Sequence, residues 1–400
     1  MRNLVFDILF VASAALILYV YAGYPLLLLL LARRRPPPAA DSAAPPKVTL
    51  LVSAYNERGV IAQKLRNALA LDYPAGQLEI VVVSDCSDDG TDELVREFAP
   101  QGVRLVRQAE RLGKSAGLNL GVSQATGDIL IFSDANAIYE PDALRQLVRH
   151  FHDARVGYVV GNARYTESAG QPSAESEGLY WKLETWLKEK ESAFGSVVGG
   201  DGAIYAIRRE LFTPLRSTDI NDFLNPLQII ARGYRGVYEP QAICYEEAGD
   251  SFEKEFRRKV RIISRSLNAI RRAPAVLLPW VQPRHWLALL SHKVLRWFVP
   301  VFLILALLAP LGHWSSPLLR VAFFLQIACY VLALAGWAIE KRGNAPRLFY
   351  LPYYFCLVNL AALFGICKLF SGSLSPTWQT IRQEPAAAQD AAVPLAKRGS

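Results

Sequence analysis

The sequence predicts an α/β domain with a mostly parallel sheet, flanked on both sides by membrane-spanning helices. Short apolar runs typical of buried strands alternate with helix-like stretches in the middle of the chain, a pattern that predicts parallel strands with crossover helices. The chain of 400 residues is 52% hydrophobic, with long apolar runs near both ends. That content is more than one soluble core usually needs, which places part of the chain in lipid.

The α/β domain is assigned to residues 47–272. Its expected strands are 48–54, 78–84, 104–107 and 129–133. Its expected helices are 59–71, 91–98 and 114–124. The sequence contains no internal repeat.

The membrane segments follow from length and hydropathy. Residues 1–32 are predicted to form a retained anchor, since the apolar run from Leu4 to Leu31 is long enough to cross a hydrocarbon core of about 30 Å. Three further segments are predicted within 297–371, at 297–311, 318–339 and 349–370. We therefore expect four crossings.

Residues 273–296 mix basic and apolar side chains and are predicted to lie as an amphipathic segment at the bilayer surface. The alternative is that they simply begin the next membrane helix. The membrane segments show no paired buried charges in sequence, and Lys293 and Arg296 are expected to reach towards the interface, which argues against a solute transporter.

Basic residues beside the membrane segments predict the orientation. Arg33 to Arg35, Arg271-Arg272 and Lys341-Arg342 are expected on the cytoplasmic side, which makes the α/β domain cytosolic. Residues 33–46 are rich in Pro and Ala and predict an extended linker. Residues 372–400 predict a polar, disordered tail whose side of the membrane stays open.

The net charge of +8 is concentrated near the membrane and in 257–272, so it does not indicate nucleic-acid binding. Five cysteines without paired or metal-type spacing predict free thiols in a reducing compartment.

Polar side chains follow three of the predicted strands. Tyr55, Asn56 and Glu57 follow the first, Asp85 ends the second, and Asp134-Ala135-Asn136 ends the fourth. Open parallel sheets bind ligands at the carboxyl ends of their strands. The pattern therefore predicts a nucleotide and metal site at that edge.

These motifs, together with Lys114 in Arg111-Leu112-Gly113-Lys114, resemble the membrane-embedded inverting glycosyltransferases of family 2. That group includes cellulose, chitin and hyaluronan synthases and bacterial exopolysaccharide transferases. The resemblance covers residues 48–270 and the membrane arrangement. It implies a GT-A fold, a UDP-sugar donor and Mg²⁺ or Mn²⁺.

The resemblance also implies roles for individual residues of the donor site. Asp85 corresponds to the carboxylate that holds uracil and ribose, with Tyr55, Asn56 and Glu57 along the same edge, and Lys114 faces the diphosphate. Asp134 and Asn136 occupy the DxD position, where the side chains meet the metal; Asn136 keeps an oxygen donor but removes a charge. Helix capping near Asp85 and an exposed role for Lys114 are the structural alternatives.

Asp222 occupies the position of the family's general base, which takes the proton of the acceptor hydroxyl during an inverting transfer. Asp219 is the rival base. Gly200 and Asp201 resemble the loop that receives the acceptor sugar, and Trp181 could stack on it, although packing in the core is an equal alternative for this tryptophan.

The segment Glu255-Phe256-Arg257-Arg258-Lys259 departs from the QxxRW signature of processive synthases. Arg258 is retained and is expected to contact the diphosphate, whereas Glu255 replaces Gln and Lys259 replaces Trp. This departure argues against processive elongation.

The sequence thus predicts transfer of a hexose or N-acetylhexosamine to a membrane-proximal glycan or polyprenyl-linked acceptor, in extracellular polysaccharide or cell-envelope synthesis. Membrane lipid, a homo-oligomer and polysaccharide-assembly proteins are the expected partners. Two alternatives remain: a processive β-glycan synthase coupled to translocation, and a non-catalytic nucleotide-sugar-binding scaffold.

Overall fold

The computed structural model describes residues 2–33, 45–166, 172–247, 252–340 and 347–372. Most of the linker predicted at 33–46, nearly all of the tail predicted at 372–400, and the basic pair at 341–342 lie outside these ranges.

One eight-stranded sheet forms the centre of the α/β domain, in the order β3-β2-β1-β4-β7-β6-β8-β5. The strands are β1 (Val48–Ala54), β2 (Leu78–Ser84), β3 (Val103–Arg107), β4 (Ile129–Asp134), β5 (Ile138–Tyr139), β6 (Val156–Thr166), β7 (Tyr205–Arg208) and β8 (Arg235–Glu247). Strands β3, β2, β1 and β4 are parallel neighbours, as are β6 and β8. β7 runs antiparallel to β4 and β6, and β5 runs antiparallel to β8.

The helices of the α/β domain cover both faces of the sheet. They are α3 (Arg58–Leu69), α4 (Thr91–Glu97), α5 (Lys114–Gln124), α6 (Ala143–Val148), α7 (Pro172–Phe194), α8 (Asn221–Ala231) and α9 (Phe252–Arg272), with 3₁₀ turns at Ala99–Gln101, Arg149–His152, Arg209–Leu211 and Pro274–Leu277. β1 is buried along its whole length because apolar side chains pack on it from both sides. Continuous apolar strands of this kind are typical of parallel sheets.

Strand register brings the polar strand ends to one edge. Ala54 pairs with Ser84 at the ends of β1 and β2, and Ser53 pairs with Asp134 at the end of β4. The side chains that follow these strands therefore share the carboxyl edge of the sheet, as the sequence predicted.

Within the described ranges, four stretches of helix are long and apolar enough to cross a membrane: Asn3–Leu31, Pro283–Gly312, Pro317–Ile339 and Leu348–Phe370. The first comprises α1 (Arg2–Leu18), a π-helical turn (Tyr19–Gly23) and α2 (Tyr24–Leu31). The second comprises α10 (Pro283–Ala288), a π-helical turn (Leu289–Val294) and α11 (Leu295–Gly312), and the others belong to α12 (Pro317–Glu340) and α13 (Arg347–Phe370).

The helix Pro283–Gly312 begins at Pro283, earlier than the start predicted at residue 297. It continues through Leu295 by way of the π turn, so most of the basic and apolar segment 273–296 belongs to the same helix as the membrane span. Residues 283–296 are therefore continuous with the apolar helix that follows, and the position of this segment at the bilayer surface stays a prediction. Apolar residues continue at helical spacing through 283–296, which is why the helix does not break there.

The expectation that the membrane helices carry no paired buried charges was wrong. Lys293 Nζ lies 3.2 Å from Glu184 Oε2, and Arg296 forms an ion pair with the same glutamate. Glu184 is buried on α7 of the α/β domain. The sequence did not predict this pairing because the carboxylate comes from a helix more than 100 residues earlier.

Candidate active site at the carboxyl edge of the sheet

Asp85 lies at the end of β2 and is 2% exposed. Its Oδ1 accepts hydrogen bonds from Gln108 Nε2 at 2.6 Å and from the backbone N–H groups of Leu112 and Gly113 at 2.9 Å each. Its Oδ2 is buried without a partner among the described residues. Burial raises the pKa of Asp85, although the two backbone donors act in the opposite direction. An unsatisfied buried acceptor needs a partner, and a donor group of a bound ligand could supply it.

The loop after β1 is joined to the loop after β2. Asn56, with φ of 53°, donates from Nδ2 to Asp88 Oδ1 at 2.8 Å and accepts from Asp88 N at 3.1 Å. The N–H of Glu57 donates to Thr91 Oγ1 at 2.8 Å, and the Arg111 guanidinium lies 3.8 Å from the centre of the Tyr55 ring. Asn56 thus has a structural role in addition to the predicted one, and Tyr55 and Glu57 line the same edge.

Lys114, Asp134 and Asp222 converge around Gly202. Lys114 and Asp134 form an ion pair. A Cβ atom placed on Gly202 would lie 3.3 Å from Asp222 Oδ2, 3.6 Å from Asp134 Oδ2 and 3.8 Å from Lys114 Nζ. Burial opposes the charge on Lys114, but the Asp134 carboxylate outweighs this effect and raises the pKa of Lys114. The glycine leaves room between the two carboxylates and the ammonium group.

Asp222 lies in the first turn of α8, with Oδ1 buried and unpartnered among the described residues. Burial, together with the nearby carboxylates of Asp201 and Asp134, raises the pKa of Asp222 to about 6, whereas Lys114 and Arg261 lower it. A carboxylate with a pKa near the working pH is suited to proton transfer.

Asp219 has a different environment, although it lies only three residues earlier. It is fully buried, forms an ion pair with Arg272 through Oδ2, and accepts a hydrogen bond from Arg216 N at 2.7 Å. These contacts tie the end of α9 to the loop before α8. The two candidates for the general base therefore have different positions. The Asp222 carboxylate faces the open space at Gly202, whereas the Asp219 carboxylate ties α9 to the loop before α8.

Two of the residues predicted to bind the acceptor, Gly200 and Asp201, lie beside Asp222. The N–H of Gly200 donates to the Asp222 carbonyl at 2.6 Å, and Asp201 forms an ion pair with the largely buried Lys188 at 2.9 Å. The Trp181 and Tyr165 rings lie 4.8 Å apart between centroids. This contact gives Trp181 a packing role on one side of its ring.

Arg258 forms one buried group with Glu255 and Lys259, the two residues that depart from the processive signature. Glu255 Oε2 accepts from Arg258 Nε at 2.7 Å, and Glu255 Oε1 lies 3.0 Å from Lys259 Nζ. Burial opposes ionisation of Glu255, but Lys259 and Arg258 outweigh it and lower the pKa of this glutamate to about 2. Lys259 also lies over the Tyr354 ring of α13, 5.8 Å from its centroid.

Three site residues were not predicted. Gln108 donates to Asp85, Glu246 lies near Asp134 and Asp201, and Arg261 acts on both Asp134 and Asp222. Burial and repulsion from Asp134 and Asp201 raise the pKa of Glu246. Two of these residues were visible in the sequence pattern. Glu246 follows a short apolar run within β8, and Arg261 lies one helical turn after Arg258. Gln108 carried no signal.

The oxygen donors at this edge fit a hard divalent cation. Within the described ranges, no group of three or more His, Cys, Asp or Glu side chains is arranged to hold a metal by itself. Mg²⁺ is commonly held by one or two carboxylates together with substrate phosphates and water. Asp134, beside the open space at Gly202, offers one such carboxylate, and Asn136 follows on the same segment.

The mostly parallel sheet, with carboxylates and basic groups gathered at its carboxyl edge, is a GT-A-like fold. The model described as glycosyl transferase family 2 matches residues 49–215. This match covers most of the α/β domain and agrees with the resemblance found in the sequence.

Two curated relatives each match about half of the chain. A poly-beta-1,6-N-acetyl-D-glucosamine synthase of Staphylococcus aureus (strain MSSA476) is 28% identical over 220 residues, which cover 54% of this chain and 53% of the relative. The probable glycosyltransferase YdaM of Bacillus subtilis (strain 168) is 29% identical over 226 residues, with 54% of each chain covered. The chain thus spans about half the length of the curated relatives it matches.

A solved structure matches nearly the whole chain. The mannosyltransferase PcManGT from Pyrobaculum calidifontis, in complex with GDP-Man and Mn²⁺, is 25% identical with a TM-score of 0.69, covering 91% of this chain and 99% of that one. The similarity includes the membrane helices as well as the α/β domain, because it extends over so much of both chains.

Proposed function

We propose that this protein transfers a hexose or N-acetylhexosamine, with inversion, from a UDP-sugar to a membrane-proximal glycan or polyprenyl-linked acceptor. The transfer would serve extracellular polysaccharide or cell-envelope synthesis at a bacterial inner membrane, with the catalytic domain in the cytosol. The observation that carries the proposal is the position of Asp222, which faces the Lys114–Asp134 pair across the open space at Gly202.

Each group has a distinct task in this scheme. Asp85 would hold the base or ribose through its free Oδ2, and Lys114 and Arg258 would bind the diphosphate. Asp222 would accept the proton of the acceptor hydroxyl as that oxygen attacks the anomeric carbon. Gly200, Asp201 and Trp181 would orient the acceptor beside it.

Asp134 and Asn136 would hold Mg²⁺ or Mn²⁺. The cation would neutralise negative charge on the departing diphosphate. PcManGT was solved with Mn²⁺ and GDP-Man together, which supports a divalent metal and makes GDP the competing nucleotide for this chain.

The buried group around Glu255 favours single transfer over processive synthesis. Glu255, Lys259 and Tyr354 fill the contact between α9 and α13 at the place where the processive signature has its tryptophan. A growing polysaccharide would have to displace the buried ion pair of Glu255 and Lys259 at this point. The name of the S. aureus relative supports the processive alternative, which would appear as products of many added sugars.

Two variants test the proposal. Asp222→Asn should bind donor and metal like the wild type but lose transfer by about 10²–10⁴-fold, the usual contribution of a general base. Asp134→Ala should lose both donor binding and transfer. Calorimetry with donor and Mn²⁺, together with a sugar-transfer assay, measures both properties.

The alternative base, Asp219, predicts a different result for these variants. If Asp222→Asn transfers sugar at the wild-type rate while Asp219→Asn remains folded and inactive, Asp219 is the base. If the wild type binds donor but never transfers sugar to any acceptor, the scaffold alternative replaces the enzyme.

A further inference from the structure

Six polar side chains form a buried cluster where the membrane helices meet α7. This cluster, called here the Glu191 cluster, consists of Tyr24, Glu184, Glu191, His292, Lys293 and Arg296. Glu191 is 0% exposed, His292 3% and Glu184 4%. Buried carboxylates are costly unless each is paired, so a cluster of this size needs a physical reason.

Glu191 connects two membrane helices to the active-site loop. Its Oε1 accepts from Tyr24 Oη at 2.9 Å and lies 2.7 Å from His292 Nδ1. Its Oε2 accepts from the backbone N–H of Val198 at 3.3 Å. Val198 immediately precedes Gly199 and Gly200, so the second oxygen holds the start of the predicted acceptor loop.

The contacts continue from this loop to the base. Gly200 N donates to the Asp222 carbonyl at 2.6 Å, and a Cβ atom on Gly200 would lie only 2.6 Å from that carbonyl oxygen. The two backbones are therefore in direct contact. A shift at Val198 would be passed to Asp222 because Val198 lies only two residues before this hydrogen bond.

A second contact joins the same membrane helix to the base. The rings of Trp297 and Phe223 pack edge to face at 5.8 Å, and Phe223 follows Asp222 directly. Trp297 follows Arg296, which is paired with Glu184. The helix Pro283–Gly312 therefore reaches the Asp222 segment by two routes, through Glu191 and through Trp297.

The membrane helices are irregular where they meet at this cluster. Ser291 and His292 lie in the π turn Leu289–Val294, and Tyr19 begins the π turn Tyr19–Gly23. Tyr19 Oη lies 2.8 Å from Ser291 Oγ. π turns insert an extra residue in a helix and often occur at functional sites. In this protein they coincide with the contact between the membrane helices and α7.

We propose that Glu191 is a positioning residue, which uses the membrane helices to fix the loop 198–200 and, through it, Asp222. The proposal deepens the proposed function and rests on it. Glu191 bonds to Tyr24, His292 and Val198, and none of these three bonds to Asp85 among the described residues. Donor binding at Asp85 should therefore be independent of Glu191, while transfer should depend on it.

Glu184 provides a matched control on the same helix. It also binds His292, and it pairs with Lys293 and Arg296. These three partners all belong to the helix Pro283–Gly312 rather than to the acceptor loop. If the cluster only holds the domains together, removal of either carboxylate should reduce stability and activity in parallel.

The experiment compares Glu191→Gln with Glu184→Gln as full-length proteins in lipid nanodiscs. Glu191→Gln should lower kcat at least about tenfold, a barrier change of about 1.4 kcal/mol, and leave the donor KM and the calorimetric donor Kd unchanged. Glu184→Gln should lower the melting temperature as much or more but keep kcat within about twofold. Glu191→Asp should restore part of the lost kcat.

Wild-type kcat in Glu191→Gln, or equal losses of kcat in both variants, would overturn the proposal. If Glu191→Gln fails to fold, Tyr24→Phe decides, since it removes only one hydrogen bond to Glu191; an unchanged kcat in this variant also counts against positioning. If the wild type itself transfers no sugar, the proposed function has failed, which is a different result from active but equal variants.

Discussion

At the scale of residues, two aspartates three positions apart differ in their surroundings. Asp219 forms an ion pair with Arg272 and accepts a backbone N–H through the same oxygen, whereas Asp222 faces the open space at Gly202 and has a raised pKa. Each of the two carboxylates keeps one buried oxygen without a partner among the described residues. A group that is already paired has little capacity to take another proton. This difference is the reason that we assign the role of base to Asp222.

The raised pKa of Asp222 predicts the pH dependence of transfer. Its pKa of about 6 lies above the ordinary value of 3.8, so the carboxyl group is protonated below pH 6 and cannot accept a proton there. We expect kcat/KM to rise about tenfold per pH unit below this value and to level off above it. A profile that stays flat from about pH 5 to 7 would show that Asp222 is not the essential base.

Gly202→Ala tests the space between Lys114, Asp134 and Asp222. The added methyl group would meet the end of the Asp222 side chain at 3.3 Å and the other two groups at longer distances, so the fold should tolerate it. It would occupy the space that we assign to the metal and the diphosphate. We expect metal-dependent donor affinity to fall at least about tenfold, or about 1.4 kcal/mol, without a change in melting temperature. Unchanged affinity would place the ligand elsewhere.

The sequence predicted the place of a side chain in the fold where that side chain follows a strand directly. Asp85 and Asp134 meet at one edge because their strands pair in register with β1. It did not predict Gln108 or the link between Asn56 and Asp88, because these depend on how loops approach each other. Strand periodicity contains no information about that approach.

At the scale of elements, α9 joins the active site to the membrane helices. One side carries Arg261 towards Asp222 and Arg272 towards Asp219. The other side packs on α13 through Phe252 and Phe256. The helical spacing of the basic residues was visible in the sequence. The pairing of Glu255 with Lys259 was not predicted, because both positions were considered only as departures from a signature.

Two substitutions on α9 test the buried pair against an exposed one. Glu255→Ala would leave Lys259, which is 8% exposed, without its carboxylate, and should destabilise the protein by about 3–5 kcal/mol. Glu253→Ala is the control, because Glu253 and Arg257 form an ion pair with side chains 73% and 72% exposed, and should change stability by less than about 1 kcal/mol. Thermal unfolding in detergent would compare them; equal shifts would contradict a stabilising role for the Glu255 pair.

At the scale of the whole molecule, the sequence predicted four spans, and the structure has four helices that meet the same criteria of length and hydropathy. Hydropathy predicts such helices because it is a local property. It could not reveal that Glu184 and Glu191 of the α/β domain pair with His292, Lys293 and Arg296 of a membrane helix. Those contacts make the membrane helices part of the site's support as well as its anchor.

The most direct test of the proposed transfer is nucleotide release by the purified full-length protein in lipid nanodiscs. UDP- and GDP-sugars would be supplied in turn with Mn²⁺, Mg²⁺ or a chelator, together with a polyprenyl-phosphate or glycan acceptor. We predict metal-dependent release from one preferred UDP-sugar, with a single sugar added per acceptor. The absence of nucleotide release with every donor and acceptor, together with no donor binding by calorimetry, would contradict the proposed function.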